Sequence, residues 1–409
     1  MRILYINSVP YGSTGNIMFS LADYMAENGH ETYCTAGFTF CGCKRDDFFI
    51  TSGVFEKFLH KQLAYLNGRT GFYSDGATKR LLRFLDSFSP DVIHLHNLHC
   101  WFVNIQMLFS YIKQNNIPIV WTLHDSWAFT GHCAHFEAVG CDRWKNGCGN
   151  CIQTGEYPAS LKDVSAEMYA LKKEIFTGVK NMNIVTPSNW LCDRVKESFL
   201  SLYPVTVINN SVDTDIFKPK VSDFKARYGL GSKNVILGVA HEWNHKKGID
   251  VFAELAQRLG DRYAIVLVGT DKNTEKTLPK NIISIRKTTD RDALAEIYSA
   301  ADVFVNPTRE DTFPTVNMEA VASGVPVVTF DSGGSPEIID ESCGITVKKN
   351  DVDALEAAIL RVLRDRPFSP DACVMRAKKF SRDNFFENYL RLYENAAESR
   401  YDRASKERT

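Results

Sequence analysis

Short runs rich in β-branched and aromatic residues alternate with amphipathic stretches along this chain, and the alternation is played out twice. The first set is RILYIN, HETYCTAG, DVIHLHN, IPIVWTLH and NIVTPS; the second is NVILGVA, YAIVLVG, IISI, VFVNPT and PVVTF. Strands separated by helix-length segments build parallel sheets with helices packed on both faces. The chain is therefore an α/β protein with two doubly wound domains. A length of 409 residues fits, because it exceeds what one hydrophobic core supports. The boundary is expected between Tyr203 and Asp213. Beyond Gly248, the apolar residues Ile249, Phe252, Leu255, Ala256 and Leu259 recur at helical spacing, as in a helix burying one face on the second sheet.

Charge and hydropathy remove several classes of function. With 48 basic and 49 acidic residues the formal net charge is -1, so no overall field favours nucleic acid and an anionic ligand has to be held by local groups. The opening MRILYIN breaks at Ser8 and Pro10, too soon for the apolar core of a signal peptide, and no stretch approaches 18 apolar residues. These features predict a cytoplasmic protein, with 11 cysteines serving as thiols or metal ligands rather than as disulfides.

Doubly wound sheets bind ligands at the carboxyl ends of their strands, so the loops there carry the candidate chemistry. After RILYIN, the loop YGSTGN offers Gly12 and Gly15, either as a ligand loop approached closely by phosphate or sugar or as a plain tight turn. It lacks a full G-x-G-x-x-G, which disfavours a nicotinamide dehydrogenase. His94 and His96 fall on one side of a strand and read as hydrogen-bonded core groups, whereas His124, beside Asp125 at a strand end, reads as a substrate contact. The densest constellation is VFVNPTREDTFPTVNMEAVASGVPVVTFDSGGSPEIID, which carries Glu310, Asp311, Glu319 and the turn Gly333-Gly334. Amides at a helix start near Thr312 to Val316 suit a diphosphate, and a carboxylate deeper in the helix suits both hydroxyls of a ribose.

The stretch from Asp311 to Glu319, with EAVASGVPVV and GGSPEIID behind it, resembles the donor-site signature of family 4 of the retaining glycosyltransferases. TPSNWLCDRV, VINNSVDTDIF, KKGIDVFAELA and NFFENYLRLYE resemble further segments of that family in order and spacing. The resemblance implies a GT-B fold, two facing Rossmann-like domains with the last helix crossing back to the first. The expected layout is an acceptor-side domain over 1-207 with a cysteine-rich insert at 131-157, a donor domain over 208-379, a crossover helix over 380-398 and a tail over 399-409. The resemblance further implies transfer of a sugar from a nucleotide-sugar donor to a glycan or lipid-linked glycan, with retained configuration, no catalytic metal and a place in bacterial capsule, O-antigen or exopolysaccharide synthesis. Carried over by residue, Glu319 holds the ribose, Lys247 neutralises the diphosphate, amides from the stretch Thr312, Phe313, Pro314, Thr315 bind phosphate and sugar, and His124 faces the transferred sugar. Two positions depart from the family. Asp311 stands where Glu is usual, so Glu310 is a second candidate for that role, and GVAHEWNHKKG has no arginine after its strand, leaving His241, His245 or Lys246 to supply the charge.

Cys133, Cys141, Cys148 and Cys151 fall within nineteen residues after His124. They read as a structural zinc site, a redox-sensitive pair or packed thiols. Between Glu56 and Leu85, Lys57, Lys61, Arg69, Lys79, Arg80 and Arg83 are interleaved with Phe, Leu and Tyr, either as an anionic-membrane contact at the inner face of the membrane or as a solvated helix over a core stripe. A sugar-nucleotide isomerase or phosphorylase of the same fold, and a non-catalytic scaffold, are the alternative readings.

Overall fold

The computed structural model describes residues 1–38, 43–288 and 290–406, with side chains as far as residue 398. Two compact units account for the chain: Met1–Ile208 together with Phe386–Thr409, and Asn209–Phe385.

In the first unit, strands β1 (Arg2–Asn7), β2 (Glu31–Ala36), β3 (Phe48–Ile50), β4 (Val92–Leu95), β5 (Ile119–Thr122), β6 (Met182–Thr186) and β7 (Val205–Val207) form a seven-stranded sheet in the order β3-β2-β1-β4-β5-β6-β7. The second unit has β8 (Asn234–Val239), β9 (Tyr263–Val268), β10 (Ile282–Ile285), β11 (Val303–Asn306), β12 (Val327–Asp331) and β13 (Gly344–Lys348), ordered β10-β9-β8-β11-β12-β13. Neighbours pair in parallel throughout, for example β1 with β4 from Ile3↔Val92 to Ile6↔Leu95. In both sheets the strand order reverses at the first strand, which leaves a crevice beyond the carboxyl ends of β1 and β4 and another beyond β8 and β11.

Burial explains why these runs become strands. VIHL of β4 and IVWT of β5 are buried at every position, as expected of a parallel sheet covered on both faces. Alternation then deals the side chains to two cores in the second unit: Leu237, Val266, Phe304 and Val327 go to one, Ile236, Ile265, Val303 and Val328 to the other. The helix expected after Gly248 spans Ile249–Arg258 and buries Phe252, Leu255 and Ala256. Three strands carry no clear signal in sequence. β3 and β7 have three residues each, β13 reads GITVK, and all three lie at sheet edges where one side goes unpaired.

The last helix runs Arg382–Lys406, so the segment expected as a tail from 399 continues as helix to 406, and 407–409 lie outside the described residues. From Phe386 onward this helix belongs to the first unit. Tyr389 and Tyr393 anchor it: the Tyr389 hydroxyl meets Thr122 Oγ1 at 2.8 Å and the Tyr393 hydroxyl meets His94 Nδ1 at 2.6 Å, all of these side chains being buried. Among the described residues no helix is long and apolar enough to cross a membrane.

Candidate active site

In the second unit the loops after β8 and β11 converge. Asn244 caps a single turn at His245–Lys247 by accepting the Lys247 amide at 3.1 Å, and the turn presents Lys247, whose Nζ lies 2.5 Å from Asp311 Oδ2. Lys246 Nζ stands 3.3 Å from Glu310 Oε1, and the Glu310 carboxylate is buried. Both lysines are one third exposed, so these pairs are held by position more than by energy. Thr312, Phe313 and Pro314 are buried and lead into the helix Thr315–Ala322, whose first-turn amides have no partner four residues back. About one turn into that helix, Glu319 accepts a hydrogen bond from Tyr298 Oη at 3.0 Å. Burial pushes the Glu319 carboxyl above its ordinary range, with the Tyr298 hydroxyl and the Arg291 charge pulling the other way. The turn at Gly333-Gly334 backs this loop, the Gly334 amide bonding Asp311 O at 3.1 Å. A Cβ on Gly333 would fall 1.8 Å from the same carbonyl, at φ +56°. Only glycine lets the two loops touch there.

In the first unit the histidines form a file behind the carboxyl ends of β4 and β5. His94 Nε2 meets Thr122 Oγ1 at 2.8 Å, and His96 Nδ1 meets His124 Nε2 at 2.9 Å with the two rings stacked. Burial holds His94 and His96 far below the usual imidazole range. It pushes His124 down to about 4 against the pull of Asp125, so His124 is neutral at physiological pH and acts as a hydrogen-bonding group, not as a cation. Gly12 and Gly15 lie not in a loop but in the first turn of the helix Gly12–Glu27. A Cβ on Gly15 would fall 2.6 Å from the Pro10 carbonyl carbon, so packing accounts for that glycine.

Residues 14–216 match the family described as Glycosyltransferase Family 4, and residues 233–365 match the group described as Glycosyl transferases group 1. WcaC of Escherichia coli K12, a glycosyl transferase named for colanic acid biosynthesis, is 26% identical over 323 residues, which span 75% of this chain and 76% of WcaC. This chain is a family 4 glycosyltransferase. Solved structures agree on its GT-B fold. Sucrose-phosphate synthase from Thermosynechococcus elongatus superposes with a TM-score of 0.71 at 18% identity, over 96% of this chain and 98% of that one. Anabaena HepE in complex with UDP does so with a TM-score of 0.67 at 12% identity, over 97% and 100%.

Two side chains of this glycosyltransferase escaped the sequence reading. Arg309 is buried and grips Asp250 through both guanidinium nitrogens, at 2.9 and 2.7 Å, while Nη1 also bonds the His245 carbonyl and Nε bonds Asn350 Oδ1. That clamp fixes the turn carrying Lys247. The arginine looked for after β8 thus has a counterpart after β11, tied up in holding the loop, while His241 and His245 are exposed. Tyr298 is the other, a core residue by burial whose hydroxyl alone touches the site.

The four thiols of the cysteine-rich insert differ in exposure. Cys133 is buried and Cys141, Cys148 and Cys151 are half-buried; among the described residues no three His, Cys, Asp or Glu side chains are grouped to hold a metal ion. Burial pushes Cys133 up to about 12, the neighbouring thiols adding to it. The base of the insert rests on Lys172, fully buried, which donates to Trp127 O at 2.7 Å and Thr130 O at 3.0 Å and lies 3.6 Å from the centre of the Trp127 ring.

Proposed function

We propose that this glycosyltransferase moves a sugar from a nucleotide-sugar donor onto a glycan or lipid-linked glycan in bacterial surface polysaccharide synthesis, retaining the anomeric configuration and using no catalytic metal. The observation that carries the reading is the presence of two pairs, Lys247 with Asp311 and Glu319 with Tyr298, whose members Lys247, Asp311 and Glu319 come from the segments following β8 and β11. Departure of a nucleoside diphosphate builds negative charge, which the Lys247 ammonium and the helix-start amides from Thr312 to Thr315 can stabilise. Glu319 receives the ribose hydroxyls, and Asp311 or Glu310 the sugar. His124, a neutral imidazole, donates or accepts at the transferred sugar. The name of WcaC supports the polysaccharide role, and the UDP complex of HepE makes UDP-sugars the first donors to try.

Calorimetry and thermal shift of the purified protein against UDP-, GDP-, ADP- and CMP-sugars, with Glu319→Ala alongside, test the donor site. One donor is expected to stabilise the wild type and not the variant. Stabilisation by no donor would move weight to a scaffold, and donor turnover without any acceptor would favour an isomerase or phosphorylase. Excess EDTA is expected to leave transfer unchanged.

The proposal extends to the membrane. The helix Val54–Asn67 turns its apolar side outward: Val54, Phe55, Phe58, Leu59, Tyr65 and Leu66 are exposed, Phe55 at 72%, and Leu161 beside Tyr65 at 62%. Of the basic residues nearby, Lys61 and Lys79 are exposed, whereas Lys57 bonds Phe38 O, and Arg69 and Arg80 pair with Glu167 and Glu56. An apolar stripe in water with a basic edge suits an anionic bilayer surface and brings a lipid-linked acceptor within reach. Flotation with anionic vesicles at low salt is expected, and its loss in Phe55→Ser/Phe58→Ser; failure of the wild type to float would end this part of the reading.

A further inference from the structure

We propose that Cys100 is a nucleophilic thiolate and a modification site for hydroperoxides, set by a Cys100–His99–Asp125 relay at the edge of an aromatic cavity in the first unit. The loop after β4 places the group. His99 Nε2 donates to Asp125 Oδ2 at 2.8 Å, and His99 Nδ1 lies 2.7 Å from the Tyr157 hydroxyl and 3.5 Å from Cys100 Sγ, which also touches that hydroxyl. Asp125 is fixed in turn by accepting the Trp127 amide at 2.9 Å. Nucleophile, base and orienting carboxylate thus stand in one line, the arrangement that activates a thiol. His99 and Asp125 are buried, whereas Cys100 is half-buried and is the most exposed residue of the line.

The backbone supports the assignment. Cys100 and Trp101 both have positive φ, +81° and +64°, a conformation that side chains other than glycine rarely adopt. The strained pair turns Sγ onto His99 and Tyr157 and puts the Trp101 ring into a cavity of about 430 Å³ lined by Lys61, Gln62, Tyr65, Trp101, Tyr157 and Ala159. Charges around the thiol come from every side: His99 on its own loop, with His124 and Asp125 beyond it, Tyr157 from the insert, and Lys57 from the helix Val54–Asn67. Burial pushes the Cys100 thiol up, but hydrogen bonds and charge from His99, with help from Tyr157 and Ser8, outweigh it and leave the thiol below its ordinary range. His99 is burdened by burial too, yet Asp125 raises it to about 10, so it is an imidazolium at neutral pH. By contrast, burial pushes Cys34, Cys133, Cys148, Cys151, Cys343 and Cys373 upward.

The step balances. The Cys100 thiolate attacks one oxygen of hydrogen peroxide, the S–O bond forming as the O–O bond breaks. The departing hydroxide takes a proton from His99 and leaves as water. Sulfur loses two electrons, the peroxide gains them, and a sulfenic acid remains.

Peptide mass mapping of the full-length protein tests this. Iodoacetamide at pH 5 to 9 is expected to label Cys100 with a midpoint below the ordinary thiol value of about 8.5, and at pH 6.5 about tenfold faster than N-acetylcysteine. Hydrogen peroxide followed by dimedone is expected to leave an adduct on Cys100. In His99→Gln and in Tyr157→Phe the midpoint rises, more in the former. The wild-type profile decides the matter even if His99→Gln fails to fold: a midpoint at or above 8.5, or no dimedone adduct at Cys100, overturns the proposal.

Discussion

Tyr298 shows how one atom of a core residue can tune a site. Its ring is fully buried in the second unit, and its hydroxyl is a donor to Glu319. In Tyr298→Phe the carboxyl loses that donor, so its titration moves further up and the acid limb of donor binding shifts toward neutrality. Donor affinity is expected to fall roughly fivefold at pH 7, about 1 kcal/mol, as read by calorimetry across pH 5 to 8. Lys172 offers a second check. Burial lowers its ammonium to about 7, with nearby thiols and Asp125 pulling upward, whereas the unfolded chain holds that proton to about 10.4. Between those values the unfolded state binds more protons, so this group makes stability rise with pH, the cost being full below 7 and relieved by 10.4. Denaturant melts at pH 7 and 9 are expected to show that rise in wild type relative to Lys172→Met. Equal slopes would mean that Lys172 keeps its charge through an environment more polar than its burial implies.

At the scale of elements, the donor loops are legible because their chemistry is local. Glu319 falls on a helix whose start follows from the Pro314-Thr315 step, and Asn244 caps the turn bearing Lys247. The support for those loops is not local. Arg309 reaches back 59 residues to Asp250, and Gly333 meets Asp311 across 22. Gly333→Ala is expected to push the Asp311 backbone aside and weaken donor binding at least tenfold, about 1.4 kcal/mol, while circular dichroism stays native. Undiminished affinity would remove Asp311 from the donor site. Arg309→Gln is expected to release the 245–247 turn, lowering the melting temperature by several degrees and donor affinity with it.

At the scale of the whole molecule, each unit has its own sheet and core, and the last helix is claimed by the first. Its anchors are polar. Tyr393→Phe would leave His94 Nδ1 buried without its hydrogen-bond partner, a loss of about 1–3 kcal/mol in denaturant melts. Donor-induced stabilisation should persist in that variant, because the groups proposed for the nucleotide, Lys247 and Glu319, lie in the second unit. Its disappearance would mean that donor binding depends on this anchor.

The sequence by itself determined the α/β class, a two-domain plan and the family, and it singled out the loops after β8 and β11, since strand and helix periods and short motifs are properties of neighbours along the chain. It could not supply what distant neighbours settle. The outward apolar side of the helix Val54–Asn67 depends on what packs beneath it, and only folding shows that His60 and Ala64, not Phe55 and Phe58, face inward. The clamp on the turn of Lys247, the hydroxyl on Glu319 and the His99–Asp125 bond behind Cys100 join residues 21 to 64 positions apart, where spacing carries no signal and contact is decided by how helices settle on their sheets. The four cysteines mark the same limit: their proximity in sequence left zinc, a redox pair and packed thiols open, and where each thiol lies depends on how the insert packs on Lys172 and the core.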